Sequence, residues 1–311
     1  MEAVNKTTLE MLKEISDLKN GLPPIGVAYN IRQDSGCAGR QNTENISIIS
    51  KTDKPGIDIR IKAGTKGETV YIPACITKSG VNDLVYNDFF VGKGADVTIV
   101  AGCGVHTDGH EESQHNGIHR FFLDQGARVL YLEKHIGEGT GTGAHIINPE
   151  TEVHLGEDSY LEMDTTQLRG VNSTIRKTGG DVGPRAKLLV REKIMTDGDQ
   201  YAETNFSVKL IGEDSGADLI SRSVARGESK QVFHARIEGL TRCAGHSACD
   251  AIIMDKGTVE ATPELFAGDV DAALIHEAAI GKIAGEQLIK LMTLGLTAEE
   301  AEAKIIEGFL K

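Results

Sequence analysis

The chain has 311 residues, enough to bury a sizeable core as one large solenoid or two ordinary domains. Its net charge of −13, from 33 basic and 46 acidic residues, argues against nucleic acid and anionic membrane surfaces as partners, because both need clustered Lys and Arg. No apolar run approaches the ~18 residues of a membrane helix. Met1-Glu2-Ala3-Val4-Asn5-Lys6 lacks the basic start and apolar core of a secretory leader, so the expectation is a cytoplasmic protein whose five cysteines are thiols or ligands.

The N-terminal segment, residues 1–20, is predicted to be helical, with Leu9, Leu12, Ile15 and Leu18 at helical spacing; Asn20-Gly21 and Pro23-Pro24 end it. From about 45 to 260 apolar and polar residues alternate: Ile57, Ile59, Ile61; Val129, Tyr131; Leu188, Val190; Phe206, Val208, Leu210. A period of two is a strand signal. A turn followed by a small residue and alternating aliphatics recurs, the small residue falling at 69, 95, 127, 159, 186 and 217. Such a near-constant step is what stacked coils produce, so residues 21–270 are expected to form a β-helix, although an ordinary β-sandwich also has regular turns. Residues 271–311 are expected to form a helical hairpin. Ile280, Ile283, Ala284, Leu288, Leu291 and Met292 make one apolar face, Gly295 supplies a stop, and Thr297 with Glu300 makes a capping box ahead of a stripe of Ala301, Ile305 and Phe309.

Two groups of soft ligands stand out. Cys243, His246 and Cys249 lie within seven residues, and His276-Glu277 follows at what reads as the first turn of a helix. Thiolates and imidazoles of this kind hold iron, zinc and iron–sulfur clusters, although two small buried cysteines with an incidental histidine would read the same. The second group is Cys103, His106, His110, His115 and His119, read as a loop that either binds metal or crosses the solenoid with its imidazoles hydrogen-bonded to Asp108, Glu111 and Glu112. Gly139-Thr140-Gly141-Thr142-Gly143 lacks the Gly-Lys-Ser/Thr ending of a phosphate loop, and no serine nucleophile elbow occurs.

Cys249-Asp250, His276-Glu277-Ala278-Ala279-Ile280-Gly281-Lys282-Ile283, Glu286-Gln287-Leu288, Leu294-Gly295-Leu296-Thr297-Ala298-Glu299-Glu300-Ala301 and Glu307-Gly308-Phe309 together resemble the C-terminal region of the SufB/SufD family, above all the short SufB-like scaffolds of minimal SUF iron–sulfur assembly systems. The resemblance implies a right-handed parallel β-helix flanked by helices. It implies that Cys249 is the assembly cysteine, and that His276 and Glu277 face it across a dimer interface to bind iron or a 4Fe-4S or 2Fe-2S cluster. It also implies that the C-terminal hairpin docks a SufC-type ABC ATPase, in an assembly of two scaffolds and two ATPases that serves apo recipient proteins. On this reading the chain is a scaffold, and ATP hydrolysis belongs to the partner. Cys75 and Cys103 are the candidates for the family's sulfur-receiving cysteine. A rival reading is a zinc-dependent enzyme on a β-helix using residues 103–119.

Overall fold

The computed structural model describes residues 4–311; the first three residues of the expected 1–20 segment lie outside them. Twenty strands and three helices are found among the described residues. One sheet contains β1 (Ala28–Gln33), β2 (Gly36–Gln41), β5 (Lys66–Ile76), β7 (Asp96–His106), β9 (Arg128–Glu138), β12 (Tyr160–Arg169), β14 (Lys187–Thr196), β16 (Ser215–Ala225), β18 (Cys243–Ile253) and β20 (Ala272–Gly281). The facing sheet contains β3 (Ile46–Ser50), β4 (Gly56–Ile61), β6 (Asn82–Val91), β8 (Ser113–Leu123), β10 (His145–Ile147), β11 (Glu150–Leu155), β13 (Ser173–Val182), β15 (Tyr201–Leu210), β17 (Lys230–Gly239) and β19 (Thr258–Ala267). The two antiparallel hairpins β1–β2 and β3–β4 begin the sheets, and every later pairing is parallel. The result is a β-solenoid of about eight turns.

Alternation in the sequence sets which side chains enter the solenoid. In β12, Leu161, Met163, Thr165 and Gln167 are buried, while Tyr160, Glu162 and Asp164 face outward. Parallel pairing stacks each inward residue on its counterpart in the next coil, so Ile59, Phe89, Phe121 and Val153 form one row. The rings of Phe89 and Phe121 stack with centroids 4.4 Å apart. Full burial of such side chains contributes about 1.5–3 kcal/mol each.

The repeated turn has a definite geometry. Gly94, Gly126, Asp158, Arg185 and Asp214 adopt left-handed φ angles of 55–67°. The residue after each (Ala95, Ala127, Ser159, Ala186, Ser215) is fully buried, and its N–H donates to the carbonyl three residues back. Thr65, after left-handed Gly64, begins the series. The turn positions expected at 69 and 217 therefore fall at 65 and 215. Ser215-Gly216-Ala217 offers several small residues, and only the pairing of Ala217 with Leu188 shows that Ala217 is already two residues into the strand.

Three helices pack around this body. α1 (Lys6–Ile15) is capped by Asn5, whose side chain accepts from the Thr8 N–H. It ends earlier than Asn20-Gly21, at Ser16 and left-handed Asp17. Met11, Leu12 and Ile15 lie against Ile31, Cys75 and Ile136 on the outside of the first sheet. Gly102 and Gly104 make this approach possible: a Cβ on Gly104 would sit 2.7 Å from Met11 Sδ, and one on Gly102 would sit 2.9 Å from the Ile15 carbonyl oxygen.

At the other end the helical hairpin expected over residues 271–311 begins only at α2 (Gly285–Thr293), and Ala272–Gly281 is instead strand β20. The apolar residues at helical spacing here also fit a strand, and pairing with β18 decides between them. Gly295 is left-handed as expected, and Thr297 and Glu300 cap α3 (Ala298–Phe309) reciprocally. α3 buries Ala301 and Ile306 rather than the stripe through Ile305, and with Leu310 it packs on Val224 and Ile252. α2 buries no residue, leaving Ile289 and Met292 exposed. No helix among the described residues is long and apolar enough to cross a membrane.

Because Phe121 holds the centre of a stacked row, Phe121→Ala should destabilise the chain by about 3–5 kcal/mol, measured as a lower urea midpoint with an unchanged slope.

Candidate functional site

Strand β18 carries the first ligand group, but it divides that group between two faces. Cys243, Ser247 and Cys249 point into the solenoid, and His246 points outward. Cys243 and Cys249 are six strand residues apart, about 20 Å at 3.3 Å per residue, so they do not meet at one metal ion. Cys243 fills the corner near Gly239, where a Cβ would lie 2.8 Å from its Sγ.

Cys249 is 1% exposed. Pairing sets it between Ser221 of β16 and Ala278 of β20. Burial first, and then the negative charges of Glu192 and Asp250, push its thiol up to about 12. A thiol so held is neutral and unreactive until its surroundings open.

His276 and Glu277 lie within β20, the last strand of the first sheet, rather than opening a helix. His276 pairs with Ser247, and its Nδ1 lies 2.7 Å from Ser247 Oγ. It therefore shares the inner face with Cys249, one strand across and two residues back. Burial and nearby His246 hold the imidazole below its ordinary range, against the pull of Glu277. Glu277 projects from the opposite face, largely exposed, with Oε2 3.8 Å from His246 Nε2. His246 Nδ1 is in turn 2.7 Å from Asp218 Oδ1. Among the described residues no three His, Cys, Asp or Glu side chains are grouped so as to hold a metal ion.

The second ligand group is not a loop. Cys103 and His106 belong to β7, His115 and His119 to β8, and only His110 lies in the connection, where its Nδ1 is 2.8 Å from Thr142 Oγ1. Cys103, His115 and His119 face inward, and His106 sits outside between Asp108 and Glu138. The inward histidines have protein partners: His115 Nδ1 is 3.0 Å from Asp83 Oδ2, and His119 lies 2.7 Å from Tyr131 Oη and 3.3 Å from Asn87 Nδ2. The zinc reading of residues 103–119 thus loses its grouped ligands; the fold spreads the five across two faces and a turn.

What sequence reasoning missed is a buried polar column inside the solenoid. The aligned inner positions Glu133, Thr165, Glu192, Ser221 and Cys249 form one row along the first sheet. Arg176 reaches in from the facing sheet, with Nη1 2.8 Å from Glu133 and Nε 3.2 Å from Glu192. Tyr131 also donates to Glu133, and Thr204 and Ser221 donate to Glu192. Burial opposes the charge on Glu133, but His135 and Arg176 outweigh it and hold the group well below the usual carboxylate range. For Glu192 burial wins over Arg176, and the group is raised. One arginine thus serves two carboxylates unequally. The signal was legible: Val129, Tyr131 and Glu133, like Leu188, Val190 and Glu192, keep the inward phase, so the charge had to enter the core.

A family model described as "SUF system FeS cluster assembly, SufBD core domain" matches residues 82–309. An iron–sulfur cluster assembly SufBD family protein of Archaeoglobus fulgidus is 28% identical over 276 residues, covering 88% of this chain and 73% of that protein. Similar proteins of the same description occur in Methanothermobacter thermautotrophicus (27% identity, 82% of this chain) and Methanocaldococcus jannaschii (24% identity, 87% of this chain and 86% of that protein). The chain spans 62% of the length of the Methanothermobacter protein.

Two outcomes test the column. Arg176→Ala takes from buried Glu133 and Glu192 the arginine they share and should cost about 3–5 kcal/mol in urea unfolding. His119 is held at about 4 by burial, below its ordinary 6.5. The unfolded chain binds its proton more readily, so the stability that depends on neutral His119 is full above pH 6.5 and declines as pH falls through 4. His119→Gln should flatten that part of the stability–pH curve.

Proposed function

The chain belongs to the SufBD family of iron–sulfur cluster assembly proteins, and from that premise we propose that it is a scaffold on which clusters are built and released, working as a pair of identical chains with a SufC-type ABC ATPase. The observation that carries this reading is the unfinished C-terminal end of the solenoid. β19 and β20 each pair on one side only, and they expose Leu265, Phe266, Ile275 and Ile280. An open strand edge beside apolar side chains is a template for a second chain. Cys249 lies one strand in from that edge, and His276 and Glu277 lie on it.

Within one chain no three ligands are grouped among the described residues, and pairing through this end supplies a second set. Iron and sulfide are the cargo. Cysteine thiolate, imidazole and carboxylate suit iron while leaving positions that exchange. The buried, neutral Cys249 then has a role: closed, it withholds its sulfur; opened, it loses the proton and ligates. Docking of the ATPase on the exposed apolar face of α2 gives a lever for that opening, because the hairpin packs through α3 on Val224 and Ile252, in β18, which carries Cys249, and in its neighbour β16. On this reading ATP hydrolysis stays in the partner, and the scaffold catalyses no reaction of its own.

Anaerobic reconstitution with iron and sulfide tests the site: Cys249→Ser should lose the visible cluster absorbance and transfer to an apo recipient, and retention of both would refute the assignment. Deleting residues 285–311 should abolish co-purification with the ATPase while leaving the solenoid's β circular dichroism. A truncated chain that still captures the ATPase would move the docking surface elsewhere.

A further inference from the structure

The opposite end of the solenoid holds a cavity of about 240 Å³ that the scaffold reading does not use. It opens between the hairpins β1–β2 and β3–β4, and its walls carry Arg32, Arg40, Lys51 and Lys54 without a single carboxylate. That is unexpected in a chain with a net charge of −13. Arg32 is matched by Asp83, and Lys51 by Asp58 and Asp88, all set behind the wall. Arg40 and Lys54 have no carboxylate partner among the described residues. Arg40 is instead aimed by neutral groups, donating 2.8 Å bonds to Asn30 Oδ1 and Ser50 Oγ, and Lys54 lies over the Tyr86 ring at 4.4 Å. Asn87 also lines the cavity. It is 7% exposed, and its Oδ1 is buried without any hydrogen-bond partner. Burying an acceptor without a donor is unfavourable, so Asn87 Oδ1 is suited to receive one from a ligand. Two thiols complete the walls, exposed Cys37 at the rim and buried Cys103 deeper in.

We propose that this cavity binds an amino-acid-sized carboxylate that carries sulfur, of which free cysteine is the simplest, with its carboxylate between Arg40 and Lys54 and its own donor on Asn87. The carboxylate and the donor follow from the cavity; the sulfur rests on the cluster-assembly reading, which requires a source of that element, and on the two thiols. The volume suits an amino acid rather than a nucleotide, for ligand pockets of larger molecules run to several hundred Å³.

Anaerobic titration calorimetry of the full chain with L-cysteine should give saturable one-site binding, weakened about tenfold or more in the Arg40→Met/Lys54→Met double variant. L-Serine and inorganic phosphate should bind more weakly than L-cysteine. Absent binding, or equal affinity in the double variant, overturns the site; serine or phosphate binding as tightly as cysteine overturns the sulfur-bearing ligand. Should the double variant melt early, the wild-type chain suffices. S-methyl-L-cysteine at ten times its Kd should slow iodoacetamide labelling of Cys37 about tenfold by simple occupancy, and an unchanged rate refutes the proposal. Cys249→Ser should bind L-cysteine like the wild type, so loss of this site and loss of the cluster site are separable.

Discussion

In-register stacking of parallel strands is the constraint from which the rest of this molecule follows. Once β9, β12, β14, β16 and β18 pair without slippage, a residue's position along its strand fixes its neighbours in the coils before and after. Apolar rows become a continuous core, and polar residues in the inward phase have nowhere to go but against one another. Glu133, Arg176 and Glu192 meet for that reason, and Cys249 stands at the end of the same row. A one-residue slip of β18 would turn Cys249 outward and bury His246 and Asp250.

Stacking has ends, and the two ends of this solenoid are finished differently. The N-terminal end is closed by two antiparallel hairpins, whose strands turn the edges back and enclose a cation-lined cavity. The C-terminal end is left with parallel edges and exposed apolar side chains, while α3 covers the outer flank of the first sheet rather than the edge. Repeat proteins ordinarily cap both ends to stay soluble. An uncapped end beside a buried thiol, an imidazole and a carboxylate is the feature that suits a paired scaffold.

Burial also divides the ligand-type residues by what they can do. Inward His115 and His119 have hydrogen-bond partners and serve the core. Inward Cys249 is held neutral by its surroundings, whereas Glu277 and His246 remain accessible on the outer face. The chemistry proposed for the C-terminal end therefore depends on movement there, whereas the polar column is a fixed part of the interior.

The amino-acid sequence on its own determined the strands and their repeat, because alternation with period two and a small residue after each turn are local properties; parallel pairing of coil on coil makes the repeat a solenoid rather than a sandwich. It also determined the capping box of α3 and the left-handed stop at Gly295. It did not determine that residues 272–281 are a strand, since their apolar spacing satisfies a helix equally well and only pairing with β18 settles the choice. Nor could it tell that Cys243 lies about 20 Å from Cys249, that His246 faces away from His276, or that the histidines of residues 103–119 part between two faces. Closeness along the chain says little about closeness in space when successive side chains leave a strand on opposite sides. Which groups meet was decided by the sheets, and with it the column, the cavity and the unfinished end.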